Sequence, residues 1–313
     1  MQEGLVIRTT GSWYRVMVAS GEMLDCRLRG NYRLRGNKQT NPVAVGDRVQ
    51  FEMLDDGTGV IHEVADRNNY IVRRATKLSK QTHVIAANID LLCVVATLGL
   101  PRTSTGFIDR LLVTAEAYHI PACVVFNKSD LLSDPELRAA QDEVAAIYRG
   151  AGYEVLEVSA LTGSGVDELI RTIAGKTVLF SGHSGVGKSA LLNAISPGLG
   201  LKVGQISEWS LKGKHTTTFA EIFPIQLSTP NAQLSTRLID TPGIKEFGMV
   251  DFTPQELSHF FPEMRSRLHD CHFANCTHRH EPQCAIKKAV FDGLISEERY
   301  RNYLNIIDGI EEP

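Results

Sequence analysis

The 313-residue chain carries 33 basic and 36 acidic side chains, a formal net charge of −3, with 43% hydrophobic and 22% charged residues. That length accommodates two or three domains of about 100–200 residues each, with ample material for a core. The charge balance argues against a uniformly basic nucleic-acid coat while leaving room for a local basic patch.

Met1–Thr10 contains Glu3 and no apolar run, so no secretory leader is expected. The longest apolar stretch, Ile89–Leu100, is interrupted by Asp90, Thr97 and Gly99. It falls short of the roughly 20 apolar residues that span a bilayer. The expectation is a cytoplasmic protein with no membrane partner, acting as a monomer. Cys26, Cys93 and Cys123 are scattered, the last two in apolar runs that suit buried thiols. Cys271, Cys276 and Cys284 crowd together with histidines between them, which in a reducing compartment favours a metal site over disulfides.

Residues 1–68 read as short strands broken by turns. Leu5–Ile7 and Trp13–Val18 flank a Thr-Gly-Ser turn, and Val45-Gly46-Asp47 leads into the alternating Arg48–Glu52. Alternation with frequent glycine turns predicts a small β-barrel, an OB-fold or an SH3-like barrel. Arg27, Arg29, Arg33, Arg35 and Lys38, with Tyr32 among them, form an acid-free basic stretch. Such a stretch suits RNA phosphates and a stacked base, and equally a solvated loop.

Residues 69–250 change texture. Ile89–Ala96, Ala122–Phe126, Tyr153–Val158, Thr177–Phe180 and Thr236–Ile239 are short apolar runs, with helical patterns at Pro135–Arg149 and Val166–Ile173. Strands alternating with helices predict a parallel α/β sheet covered on both faces. Residues 251–313 turn helical and Cys/His-rich, ending in a charged helix around Ser296–Asp308.

Gly182-His183-Ser184-Gly185-Val186-Gly187-Lys188-Ser189 fits the phosphate-loop pattern G-x-x-x-x-G-K-[ST], between the strand Val178–Phe180 and a helix starting at Ala190. Glycines let backbone N–H groups turn toward phosphates, and the helix N-terminus adds partial positive charge. Lys188 would reach the β and γ phosphates and Ser189 would ligate Mg²⁺. Asn127-Lys128-Ser129-Asp130 follows the strand Ala122–Phe126. A carboxylate at Asp130 accepts paired hydrogen bonds from guanine N1–H and its 2-amino group, whereas adenine offers an acceptor at N1 and lacks that amine. Lys128 would lie along the base and Asn127 would brace neighbouring loops. Ser159-Ala160-Leu161 would bring a backbone N–H to the guanine oxygen. Asp240-Thr241-Pro242-Gly243 fits D-x-x-G, with Asp240 holding Mg²⁺ through water and the Gly243 N–H facing the γ-phosphate. Between these elements lies Lys212-Gly213-Lys214-His215-Thr216-Thr217-Thr218, a switch-like segment. One of its threonines would complete the Mg²⁺ shell. Which one is open, with Thr217 favoured.

Base-reading elements thus precede the phosphate loop, a permuted order that runs D-x-x-G directly into the C-terminal module. With its barrel, permuted motifs, Gly-Lys-His-Thr-Thr-Thr loop and terminal cysteines, the whole chain resembles the circularly permuted bacterial GTPases of the RsgA (YjeQ/YloQ) family. The resemblance implies an N-terminal OB-fold, a central permuted P-loop GTPase domain and a C-terminal helical domain binding one zinc ion. It further implies a GTPase acting in late maturation of the small ribosomal subunit, bound near its rRNA and stimulated there.

For the metal, spacing alone leaves His272, His278 and His280 open as the fourth donor. The resemblance implies C-x₄-C-x-H-x₅-C, met here by Cys271, Cys276, His278 and Cys284. Three thiolates and an imidazole make a closed, structural zinc shell. Many GTPases position the attacking water with a glutamine just after D-x-x-G, where this chain has Ile244. His215 is the candidate for that task; it also reads as a surface histidine beside a lysine. A GTPase serving another partner, or an unregulated hydrolase with an incidental zinc tail, are the rival readings.

Overall fold

A computed structural model of the protein describes residues 1–30, 42–74, 82–99, 101–199, 220–230, 232–240 and 253–310. The chain divides into two compact units. One comprises Met1–Leu91, Ile173–Phe180 and Gln205–Gly248; the other comprises Leu92–Thr172, Ser181–Gly204 and Met249–Pro313.

The first unit opens with β1 (Gln2–Thr9), β2 (Trp13–Met17), β3 (Met23–Leu28), β4 (Arg48–Met53) and β5 (Gly59–Val64). Their alternation decides which side chains face inward: Tyr14 and Val16 are buried while Arg15 between them is exposed. Antiparallel pairs join β1 to β2 and β2 to β3, a parallel pair joins β3 to β5, and β5–β4 and β4–β1 pairs complete a ring. This closed five-stranded order is the OB-fold, which resolves the choice left open by the sequence. Val6, Tyr14, Val16, Cys26, Val49, Phe51 and Ile61 fill its interior. The predicted Val45–Asp47 turn is pinned from inside. Asp47 is wholly buried, and its carboxylate accepts from Arg67 at 2.7 and 2.8 Å and from the Ala44 N–H at 2.7 Å. Of the basic stretch, Tyr32, Arg33, Arg35 and Lys38 lie outside the described residues. A hairpin that the sequence reading missed follows, β6 (Tyr70–Arg74) and β7 (Thr82–Ala87).

The second unit takes up β8 (Leu91–Ala96), α1 (Thr105–Ala117), β9 (Ala122–Phe126), α2 (Pro135–Gly150), β10 (Glu154–Glu157) and α3 (Val166–Ile173). Strands β8, β9 and β10 pair in parallel, and every residue of β8 is buried. Burial on both faces is why β8 and β9 read as unbroken apolar runs, whereas the edge strand β10 begins and ends with Glu154 and Glu157. The chain returns to the first unit as β11 (Thr177–Ser181), whose Thr177 N–H donates to Asp90 at 2.8 Å. It then enters α4 (Lys188–Ile195) of the second. The long antiparallel pair β12 (Glu221–Thr229) and β13 (Ala232–Asp240) belongs to the first unit, with β13 parallel to β11. Only the Thr236–Ile239 portion of this pair was predicted.

The tail forms α5 (Pro254–Leu257), α6 (Pro262–Arg265), α7 (Ala285–Phe291) and α8 (Glu297–Ile307). The predicted start of the last helix is a side-chain cap, the Ser296 hydroxyl accepting from the Glu298 N–H at 3.2 Å. Leu257, Phe261, Met264, Ile286 and Tyr303 share one core with Val113 of α1, so the tail packs directly on a helix of the α/β region. That junction also holds Arg299, 1% exposed and bonded to both Asp109 of α1 and Glu263 of α6. Among the described residues no helix is long and apolar enough to cross a membrane.

Candidate nucleotide and metal sites

Residues 182–189 connect β11 to α4, the strand–loop–helix setting that the motif requires. Two glycines are fixed by close approach. A Cβ on Gly182 would lie 2.2 Å from the Val95 carbonyl oxygen. At Gly187, φ is +90° and a Cβ would meet the Asn127 amide nitrogen at 2.5 Å. Gly187 caps α4 without any side-chain acceptor, leaving the first-turn N–H groups of that helix to a ligand. Lys188 folds back so that its ammonium donates to the carbonyls of Gly182 at 2.6 Å and His183 at 2.8 Å. Ser189 and Val186 are buried, while His183, Ser184 and Gly185 are exposed. Ala190 is the third residue of α4.

Asn127 joins this loop to the others. Buried at the end of β9, it donates from Nδ2 to the Val186 carbonyl at 2.9 Å, and its Oδ1 accepts the Ala160 N–H at 3.1 Å. Lys128 sits in the left-handed region, φ +65°, turning the chain into a 3-10 turn over Ser129–Leu131. The Ser129 N–H donates to the Val158 carbonyl at 3.1 Å, tying this turn to the segment after β10. The fully buried Ser159 hydroxyl donates to Asp130 Oδ1 at 2.5 Å and accepts from the Thr162 N–H at 3.1 Å. One oxygen of Asp130 is thereby fixed in direction. Leu161 is 84% exposed, so this loop meets its neighbours through Ser159 and Ala160. Asn127, Lys128, Ser129, Asp130, Ser159, Ala160 and the phosphate loop therefore converge in the second unit. Asp240 is the last residue of β13. His215, Thr217 and Gly243 lie outside the described residues.

A contact that the sequence did not reveal brings α1 to the phosphate loop. The rings of Phe107 and His183 stack at 3.6 Å with 26° between planes. A Ser104 cap three residues before Phe107 was the available signal, since that spacing marks a helix start.

In the tail, the donor atoms of Cys271, Cys276, His278 and Cys284 all lie within 4.8 Å of one another. His278 presents Nδ1, at 3.7 Å from the Cys271 sulfur and 3.4 Å from that of Cys284. A tetrahedral ion with zinc–sulfur bonds of about 2.3 Å separates its sulfurs by roughly 3.8 Å. The four donors thus have the spread of a closed zinc shell, and His278, not its neighbours, completes the set. Burial pushes the Cys276 thiol up to about 12 and raises that of Cys284, while burial lowers His278. A bound cation reverses this cost for the thiolates. Glu281 shapes the loop around His278, accepting from the Thr277 N–H and hydroxyl and from the N–H groups of Arg279 and His280 at 2.6–3.1 Å. Although burial opposes its charge, these bonds pull Glu281 down to about 2. Tyr300 and Tyr303 of α8 brace the same loop through the His278 and Thr277 carbonyls, at 2.6 and 2.9 Å.

Comparison with known proteins agrees with this architecture. The family profile described as RsgA GTPase matches residues 64–250, and the RsgA N-terminal domain profile matches residues 3–61. The chain is 50% identical over 310 residues to the small ribosomal subunit biogenesis GTPase RsgA 2 of Bacteroides thetaiotaomicron, covering 99% of this chain and 97% of that one. It is 44% identical over 308 residues to the RsgA of Porphyromonas gingivalis, covering 98% and 96%. Its fold is similar to the crystal structure of YjeQ from Thermotoga maritima, with a TM-score of 0.79, 34% identity, and 99% and 98% of the two chains covered. It is also similar to YloQ, described as a circularly permuted GTPase, with a TM-score of 0.75, 30% identity, and 100% and 96% covered.

Proposed function

The chain belongs to the RsgA GTPase family and is a GTP-hydrolysing enzyme, and from that premise we propose that it acts in late maturation of the small ribosomal subunit. The observation carrying this reading is near-full-length identity to relatives named for that process. The protein binds GTP and GDP in the cytoplasm as a monomer, using three segments: 1–68 for RNA, 69–250 for nucleotide and 251–313 for one structural zinc. Arg27 lies over the Trp13 ring at 4.0 Å on the outer barrel surface, a cation–aromatic pair suited to rRNA phosphates and bases.

At the nucleotide, Asp130 reads guanine, with Lys128 and Ser129 beside it and Ser159, Ala160 and Leu161 closing over the base. Residues 182–190 cradle the phosphates. Ser189 and Thr217 hold Mg²⁺, which when bound neutralises charge developing on the phosphates. Asp240 and Gly243 address the metal and the γ-phosphate. His215 orients the attacking water.

Purified protein assayed alone and with small subunits, with large subunits and ATP as controls, tests this assignment. Small subunits are expected to raise GTP turnover about tenfold or more, as partners of other GTPases do. His215→Ala should lose most of that stimulated rate while keeping GTP affinity. Turnover indifferent to small subunits would refute the ribosomal context and leave the GTPase standing.

Zinc removal tests the tail. Chelation under reducing conditions should release one zinc per chain and lower amide protection in the 271–284 loop and α7, whose start the metal holds, while α8 keeps its packing on α1. Unaltered exchange in the 271–284 loop and α7 after complete removal would show that the ion is dispensable.

A further inference from the structure

Helix α1 begins at a defined place and aims a ring at the phosphate loop. The Ser104 hydroxyl accepts from the Phe107 N–H at 3.3 Å, fixing the first turn. Two residues further on, Asp109 is fully buried and bonded to Arg299 and to Asn302, which fixes the helix against rotation. Phe107 is therefore presented on a rigid mount, and it stacks on His183 at 3.6 Å. His183 is the second residue of the phosphate loop, and its carbonyl oxygen holds the Lys188 ammonium at 2.8 Å. The stacked imidazole and that carbonyl belong to one residue, so a ring held in place restrains the main chain to which Lys188 donates.

We propose that Phe107 is a positioning residue for nucleotide binding: its ring clamps His183 and so holds the phosphate loop and Lys188 in their binding geometry before the nucleotide arrives. The inference rests on reading Gly182–Ser189 as the phosphate loop. Preorganisation is its physical basis, since a loop already ordered loses less conformational freedom on binding. An exposed glycine-rich loop has the most freedom to lose. The clamp needs an aromatic face, because two rings in stacked contact gain attraction beyond the apolar area that they cover.

The test uses the full chain and measures dissociation constants for a fluorescent GDP, with GTP turnover across substrate concentrations. Phe107→Ala should weaken GDP about 3- to 10-fold, the range for loss of an aromatic pair, and raise KM by more than it lowers kcat. Phe107→Tyr should restore affinity, whereas Phe107→Leu, which keeps apolar bulk without the π face, should not. His183→Ala should match Phe107→Ala, and the double variant should be no weaker than either single one. Thermal melts of all variants report whether α1 still folds. Folded Phe107→Ala with unchanged GDP affinity overturns the proposal, as does full rescue by Phe107→Leu, which would reduce Phe107 to packing. Lys188→Ala separates the two levels of inference. If it abolishes binding while Phe107→Ala does not weaken it, only the clamp fails. If Lys188→Ala also leaves affinity intact, the phosphate-loop reading fails with it.

Discussion

Arg299→Met should destabilise the unit that contains α1 and the zinc tail by about 3–5 kcal/mol, the cost of stranding buried charge. The guanidinium is almost wholly buried. It donates to Asp109 at 2.5 Å and, through two nitrogens, to Glu263 at 2.8 and 3.1 Å. Phe261 covers it at 4.7 Å, with Tyr148 and Tyr153 at 5.7 Å. Burial opposes the charge on Arg299, but Asp109 and Glu263 outweigh it and hold the group well above its usual value. Burial raises the Asp109 carboxyl against the pull of the same arginine. Methionine fills the space and leaves two carboxylates without their common partner. Asp109→Asn should be milder, about 1–3 kcal/mol, because Glu263 still engages the guanidinium. Urea unfolding followed by circular dichroism measures both. Arg299→Met melting within about 1 kcal/mol of the parent would mean that solvent reaches the cluster.

The second large effect is on base selection. Asp130→Asn should weaken GTP about 100-fold or more, since each hydrogen bond to a charged group contributes about 1.5–3 kcal/mol. The substituted amide offers one donor and one acceptor. Xanthine presents an N1–H donor beside a carbonyl at position 2, so xanthosine nucleotides should gain the affinity that guanine nucleotides lose. The Ser159 hydroxyl, already donating to Oδ1, holds the amide oxygen in the same place and turns its nitrogen toward the base. Competition binding with GDP and xanthosine diphosphate decides the matter. A variant that still binds GDP within about threefold of the parent would remove Asp130 from base recognition.

What the sequence revealed was chemistry written locally. A phosphate loop needs backbone N–H groups in tight curvature, and that need appears as glycines at fixed spacing, Gly182 through Gly187. The bracing role expected of Asn127 appears as two hydrogen bonds, to Val186 and from Ala160. Elements stabilised from a distance were harder to read. Helix α1 buries Ile108, Leu111, Leu112, Val113 and Ala115, so it lacks the single apolar stripe of a surface helix. It also buries Asp109, whose partner Arg299 lies 190 positions away. Strand β12 contains Pro224, which reads as a break, yet pairs with Arg237 in an otherwise regular ladder. The fourth metal donor was ambiguous because three histidines share one short loop, and only folding turns His278 inward.

Every strand of the N-terminal barrel has a neighbour on both sides, with the β4–β1 pair as the closing seam. Among the described residues, pairing around the ring leaves little main chain free for an added strand, and the end of β1 is already taken at Arg8, which pairs with Glu221 of β12. Whatever docks there must be distinguished by what projects outward from the wall, such as Trp13 and the Arg27 lying over it. The same closure guards against edge-to-edge stacking of one copy on another. Substitutions on the barrel's outer face are therefore free to retune recognition without opening a route to fibres.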